Sequence, residues 1–278
     1  MIHYMQDTPD SQKRRCLIVL SHSLNEVTLA RFRQCQAELA STFDVFLVLS
    51  EPLQDEAKKH GLQNVVCPTR AQIFSPEYGR KSATFSIKPG NADLILLAFW
   101  RQHPGYEYYW VMEFDVYTPR GLSQLAELDR GSDADLLGTY IRLRRHHASW
   151  DNWGSLETGP SQVEGVDVDM VATACFLPLS RYSARLLAAL DWSYQRGWIG
   201  HHEATIATVA ACNGMKLQDL NTLAHRVLGR HVYSATSFNH EKSVAADALF
   251  FHHPIKHLSQ VEALDRAFGS TAAAMSPQ

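Results

Sequence analysis

The sequence predicts an α/β fold: one domain with a mostly parallel central sheet and helices on both of its faces. Three observations carry this. Continuous apolar runs of strand length occur at residues 16–21 and 44–50, as strands buried on both faces require. Segments with helical spacing separate the strands, so strand and helix alternate from residue 16 to 140. A further apolar strand, residues 108–116, closes on two carboxylates, Glu113 and Asp115. Sheets of this kind bind ligands at the carboxyl ends of their strands.

The elements follow in order. After the 16–21 strand, residues 25–42 have helical spacing, with Leu29, Phe32, Cys35 and Leu39 on one face. The 44–50 strand leads to a short helix at 54–60, stopped by Gly61, and then a short strand at 65–67. Residues 69–90 read as irregular, punctuated by Pro76, Gly79, Pro89 and Gly90. Residues 91–102 form a helix presenting Leu94, Leu97, Ala98 and Trp100. Beyond the 108–116 strand come a helix at 122–128 and a strand at 135–140. Residues 142–167 break the rhythm, and a long loop inside a compact domain is more often functional than not. Apolar character returns at 171–177. An amphipathic helix is expected at 180–191 with Ser180 as its N-cap, and another at 203–213 closed by Gly214. Residues 216–220 read as a strand, and 248–257 lead into a last helix at 259–268. The expected organisation is a flexible tail at 1–14, one domain at 15–258 and a C-terminal helix and tail at 259–278. The domain has two halves, 15–130 and 131–258.

Composition narrows the functional classes. The chain has 278 residues, 45% of them hydrophobic, enough for one sizeable core. A formal net charge of -3 without a basic stripe gives no nucleic acid a reason to bind. Neither does any apolar run reach the length of a transmembrane segment. Residues 1–12 are polar and acidic, unlike a signal peptide. A cytoplasmic protein is the default expectation, with visits to a membrane surface left open. Five scattered cysteines without a C-x-x-C pattern read as reduced and mostly buried.

Three short stretches carry chemistry. Glu113 and Asp115 are one residue apart, so on an extended chain both face one side. Buried carboxylates are costly unless they hold a cation or face a polar cleft. Hard oxygen ligands of this kind suit magnesium or manganese. Against that stands plain solvation of a strand end, or Asp115 as a helix cap. The second stretch, Trp198-Ile199-Gly200-His201-His202-Glu203, lies between a helix end and a helix start. Glu203 there is either functional or a favourable first-turn acid. The third, Phe250-Phe251-His252-His253-Pro254-Ile255-Lys256, brings two histidines and a lysine behind a pair of aromatics.

The order of elements, with a Trp110-x-x-Glu113-x-Asp115 strand in its middle, resembles the GT-A family of nucleotide-sugar glycosyltransferases. The family carries an acidic D-x-D-type motif at the end of a central strand, and here Glu113 stands for its first Asp. The resemblance implies a single GT-A-like, Rossmann-like domain and transfer of a sugar from a nucleotide-diphosphate donor to an acceptor hydroxyl. It implies a divalent cation, manganese or magnesium, on Asp115, with Glu113 assisting and His252 or His253 completing the site. Lys256 would contact the diphosphate, and Glu203 would be the general base. Ser21, His22, Asn25, Lys88 and Asn91 would face the nucleotide. Trp150, Asp151, Trp153 and His202 would face a carbohydrate or lipid-linked acceptor, although both tryptophans equally suit a role as pins between loop and core. Arg80 and Lys81 read as solvated loop residues. Two rival readings stand beside this one: a non-catalytic carbohydrate- or nucleotide-binding protein of the same fold, and a nucleotidyltransferase. The donor base and sugar, the acceptor, the stereochemistry and the oligomeric state are not written in the sequence.

Overall fold

Neighbouring residues of the first strand face two different cores. In β1 (Arg15–Leu20), Leu17 and Val19 join one apolar cluster while Cys16 and Ile18 join another. Side chains alternate along a strand, so the clusters lie on opposite faces of one sheet. The same parity recurs in β4 (Tyr108–Glu113), where Trp110 and Met112 face the first cluster and Tyr109 and Val111 the second. The chain is seen in a computed structural model that describes residues 15–84, 90–119, 121–160, 163–223 and 251–268. The expected N-terminal tail at 1–14, Lys88, Phe250 and the residues after 268 lie outside the described residues.

Seven strands form one sheet in the order β3-β2-β1-β4-β6-β5-β7. The others are β2 (Asp44–Val48), β3 (Val65–Val66), β5 (Leu136–Leu143), β6 (Thr173–Ser183) and β7 (Leu217–Asp219). β1 pairs in parallel with β2 and β4, β2 with β3, and β5 with β7. β6 alone runs antiparallel to its neighbours, β4 and β5. The helices in chain order are α1 (Glu26–Leu39), α2 (Gln54–Lys59), α3 (Arg70–Ile73), α4 (Gly79–Thr84), α5 (Ala92–Gln102) and α6 (Ser123–Arg130). They continue as α7 (Val168–Val171), α8 (Ala184–Gln195), α9 (His202–Cys212), α10 (Leu220–Leu223) and α11 (Leu258–Phe268). α1 and α6 cover the first face, and α5, α8 and α9 the second. The result is an α/β domain with a mostly parallel sheet flanked by helices. Among the described residues, no helix is long and apolar enough to cross a membrane.

Two expectations are corrected. The 180–191 helix starts later, because β6 continues to Ser183. Its residue Arg181 is fully buried, yet its guanidinium donates to Asp129 Oδ1 and to the carbonyls of Asp129, Ser132 and Ala134. A buried charge whose two terminal nitrogens are paired this way is tolerated in a core strand. Ser183 takes the N-cap role and accepts from Leu186 N–H at 3.2 Å. Residues 69–84 are also more ordered than their punctuation suggests. Thr69 and Gln72 form a capping box at α3, and α4 buries Lys81 completely, so Lys81 is no solvated loop residue.

Candidate active site

Leu20 at the end of β1 pairs with Glu113 at the end of β4, which puts both strand ends on one sheet edge. The chain does not stay extended beyond Glu113. Phe114 N–H donates to Leu20 O at 3.0 Å, Val116 N–H donates to Glu113 O at 2.9 Å, and the Phe114 ring enters the core. Asp115 therefore sits in a turn, with its side chain buried. The one-sided placement expected from an extended chain is replaced by a turn that still brings both carboxylates together.

The segment 251–257 returns across this turn. Tyr117 and His252 exchange two backbone bonds, and Ile255 N–H donates to Asp115 O at 2.8 Å. Tyr117, Ile255 and Leu264 of α11 form a small apolar cluster beneath it. The Tyr117 hydroxyl bonds Asp265, and the Arg31 guanidinium lies 4.4 Å from the Tyr117 ring centroid. Held this way, His253 Nε2 stands 3.5 Å from Glu113 Oε2 and 3.5 Å from Asp115 Oδ1. One ligand atom each from Glu113, Asp115 and His253 lies within 4.8 Å of the others, spacing that could hold a metal ion. Lys256 Nζ is 4.0 Å from Asp115 Oδ2 and half-exposed. The two histidines thus part company. His252 is fully buried, and burial lowers its imidazole to about 4, so it stays neutral. Among the described residues, the group of potential ligands contains His253 and not His252.

Glu203 lies in the first turn of α9, whose N-cap is His201; Nδ1 of that residue accepts from Glu203 N–H. The Glu203 carboxyl is raised to about 7. Burial is the main cause; Arg142 pulls the value down, Glu113 pushes it up and His253 pulls it down. The acid thus shares an electrostatic neighbourhood with the Glu113–His253 group. His202 stacks on His201 at 4.6 Å and bonds the Gly90 backbone, and it lines a cleft with Leu20, Asp93, Glu113 and Tyr182. Burial lowers both imidazoles, His201 to about 3.

The start of α9 is anchored by residues for which the sequence suggested no such role. Gly200 has φ +138°, and a Cβ there would meet Leu156 Cα at 3.0 Å and Ser155 O at 3.1 Å, so only glycine fits. Lys81 Nζ donates to Gly200 O at 2.7 Å and pairs with Asp93 at 3.0 Å, both side chains being buried. The Tyr194 hydroxyl bonds Asp93 and Thr205. The visible sign of Asp93 was its place on the apolar stripe of α5, four residues before Leu97. Breaking a buried pair from one side strands the other charge. Lys81→Met is expected to cost about 3–5 kcal/mol, read from the urea midpoint at constant m-value; a change below about 1 kcal/mol would show that Asp93 needs no cation.

Ser21 is buried and donates to Ser23 O, while Asn25 caps α1 through Thr28 N–H. His22 is exposed, edge-on to Phe114, beside the acidic turn. Asn91 is buried at the start of α5. Trp153 is buried and donates to His147 O at 2.8 Å, so it pins the loop and offers no open ring face to a sugar. Trp150 packs edge-on to Trp153 and His201 and carries Arg142 at 4.4 Å. Asp151 is exposed next to it.

No family model matches the chain, and no curated protein matches it. Solved structures do resemble it. Mouse xyloside xylosyltransferase 1, in its apo form, is 13% identical with a TM-score of 0.39, over 74% of this chain and 84% of that chain. Glucosyl-3-phosphoglycerate synthase from Mycobacterium tuberculosis, in complex with Mn2+ and uridine-diphosphate-glucose, is 14% identical with a TM-score of 0.40, over 76% and 70%. The 4-diphosphocytidyl-2C-methyl-D-erythritol synthase from Anaerococcus prevotii is 8% identical with a TM-score of 0.44, over 94% and 96%. With every score below 0.5, these likenesses carry no argument about chemistry.

Proposed function

We propose that this chain is a metal-dependent glycosyltransferase that moves a sugar from a nucleotide-diphosphate donor to an acceptor hydroxyl. The observation that carries the reading is the meeting of Glu113, Asp115 and His253 at the carboxyl edge of the sheet, in a neighbourhood shared with Glu203. Two carboxylates and one imidazole fit manganese or magnesium, with Glu113, Asp115 and His253 as the holding residues. A divalent ion bound there would neutralise the charge that develops on the leaving diphosphate. Lys256 stands beside Asp115 and adds a positive charge on that side. Glu203 takes the proton of the attacking hydroxyl, and a value of about 7 suits a base working near neutrality. If Glu203 acts from the face opposite the leaving group, inversion at the anomeric carbon follows.

Neither rival gains from the site. A nucleotidyltransferase needs a glycine-rich phosphate loop with a lysine, or more clustered acids, after the first strand. Here Ser21 to Glu26 holds none, and Ser21 and Asn25 are spent on the turn and helix cap. A binding module has no use for a buried acid held near neutrality, since that burial costs stability. The reading is tested by incubating the protein with UDP- and GDP-sugars, simple glycosides and manganese, and following release of the nucleotide diphosphate. Manganese-dependent release with one donor supports the reading; none with any donor argues for the binding module.

The split between the histidines gives a sharper check. His253→Ala is expected to weaken manganese binding, measured with nucleotide diphosphate present, by about tenfold or more, since even outer partners of metal ligands cost that much. His252→Ala should instead lower the melting temperature and leave the manganese affinity of the folded protein near wild type. The opposite pattern would exchange their roles.

A further inference from the structure

β5 departs from regular pairing just before the cleft. Its register against β6 shifts between Leu137 and Thr139 and again between Thr139 and Arg142. Tyr140, inside the irregular stretch, has φ +52°. A non-glycine residue in that conformation is uncommon, and bulges near functional sites re-aim side chains. The residue delivered beyond the irregularity is Arg142.

Its surroundings leave part of its guanidinium unused. The group lies 4.4 Å from the Trp150 ring centroid, and Trp150 is braced by Trp153 at 5.0 Å and His201 at 5.9 Å. Nη2 is 3.9 Å from Glu203 Oε2, beyond hydrogen-bond reach. Nε is buried without a hydrogen-bond partner among the described residues, and the side chain as a whole keeps 21% of its surface exposed. A guanidinium carries its N–H donors in a plane, the fork that matches phosphate or carboxylate, and the Trp150 ring beneath it limits where that fork can swing. The flank is basic as well. Arg144 meets Asp169 at 3.4 Å across an exposed pair, whereas Arg145 donates to His146 Nε2 and Met170 O. The Arg142 contacts are with Trp150 and with Glu203 of α9, whereas Lys256 stands by Asp115.

We infer that the acceptor carries an anionic group, a phosphate or a carboxylate, that docks on Arg142 and so presents the neighbouring hydroxyl to Glu203. This inference rests on the glycosyltransferase reading. It adds the acceptor's chemical class and makes Arg142 a determinant of specificity.

The test uses the full chain. Manganese-dependent binding of UDP and GDP is measured first; its absence from the wild type refutes the transferase reading and the acceptor inference with it. With the bound nucleotide saturating, glycerol 3-phosphate, glycerate and glycerol are then titrated by calorimetry. At least one anionic probe is expected to bind about tenfold or more tightly than glycerol, as charge-assisted bidentate contacts allow, and the tighter of the two names the group. Arg142→Gln should bring that probe to within about twofold of glycerol, because the fork is gone, with manganese–nucleotide affinity unchanged. Equal binding of glycerol by the wild type, or an anion preference retained by Arg142→Gln, overturns the inference. Loss of nucleotide binding in Arg142→Gln also overturns it and moves Arg142 to the donor. Should that variant fail to fold, Arg142→Lys replaces it: the anionic probe should weaken several-fold because lysine lacks the fork, and unchanged binding overturns the inference.

Discussion

Asp115→Ala is expected to abolish manganese-dependent turnover while the protein still folds. Asp115 is the buried member of the carboxylate pair, and it faces His253 and Lys256. Under the proposed function, its removal would take away a hard anionic ligand at the point where the leaving diphosphate is neutralised. Electrostatic contributions of that kind are worth several kcal/mol in the transition state, so the loss in kcat should be about a thousandfold or more. The fold has less to lose. The turn is held by Phe114 N–H, Val116 N–H and Ile255 N–H, and the last of these donates to the backbone of Asp115, which alanine keeps. The check is paired: turnover with manganese, and the melting temperature without it. Activity close to wild type would remove Asp115 from the metal site.

Glu203→Gln should lower kcat by about 10²–10⁴, the usual contribution of a positioned general base, and leave donor affinity almost unchanged. The pH dependence follows from the same group. The base works only when deprotonated, so kcat/KM of the wild type should rise with pH and level off above about 7. The glutamine variant should lack this limb. Stability moves the other way. The folded state holds the Glu203 proton up to about 7, whereas the unfolded chain releases it near the ordinary 4.5. Between those values the native state binds more protons, so this group's contribution falls as pH rises. Glu203→Gln removes that penalty and should stabilise the protein at pH 8 relative to pH 5 by up to about 3 kcal/mol. An unchanged kcat would remove Glu203 from the mechanism, and equal effects of the variant on stability at both pH values would contradict its buried, raised state.

The strand and helix order was legible because two cores alternate along each strand. Leu17 and Val19 against Cys16 and Ile18 make β1 apolar throughout, which is what a strand between two layers must be. The pair Glu113 and Asp115 stood out because nothing in an apolar strand explains it. Less could be read where pairing happens far along the chain. The helix expected at 180–191 began too early because the acceptors that bury Arg181 in β6, Asp129, Ser132 and Ala134, come from another segment. Lys81 looked solvated because its partners Asp93 and Gly200 meet it only in three dimensions. The choice between His252 and His253 depended on a backbone bridge to Tyr117 that no periodicity announces. Arg142 was hidden for a similar reason, since an irregularity in β5 decides where it points.

The central claim is that Glu113, Asp115 and His253 hold a divalent cation together with a nucleotide diphosphate. Its most direct test is the melting temperature with UDP and with GDP, each with and without manganese. A ligand that binds only the folded state must raise that temperature. The account predicts a rise with one of the two nucleotides that appears only when manganese is present and is lost in Asp115→Ala. No rise with either nucleotide, or a rise that ignores manganese, would contradict it.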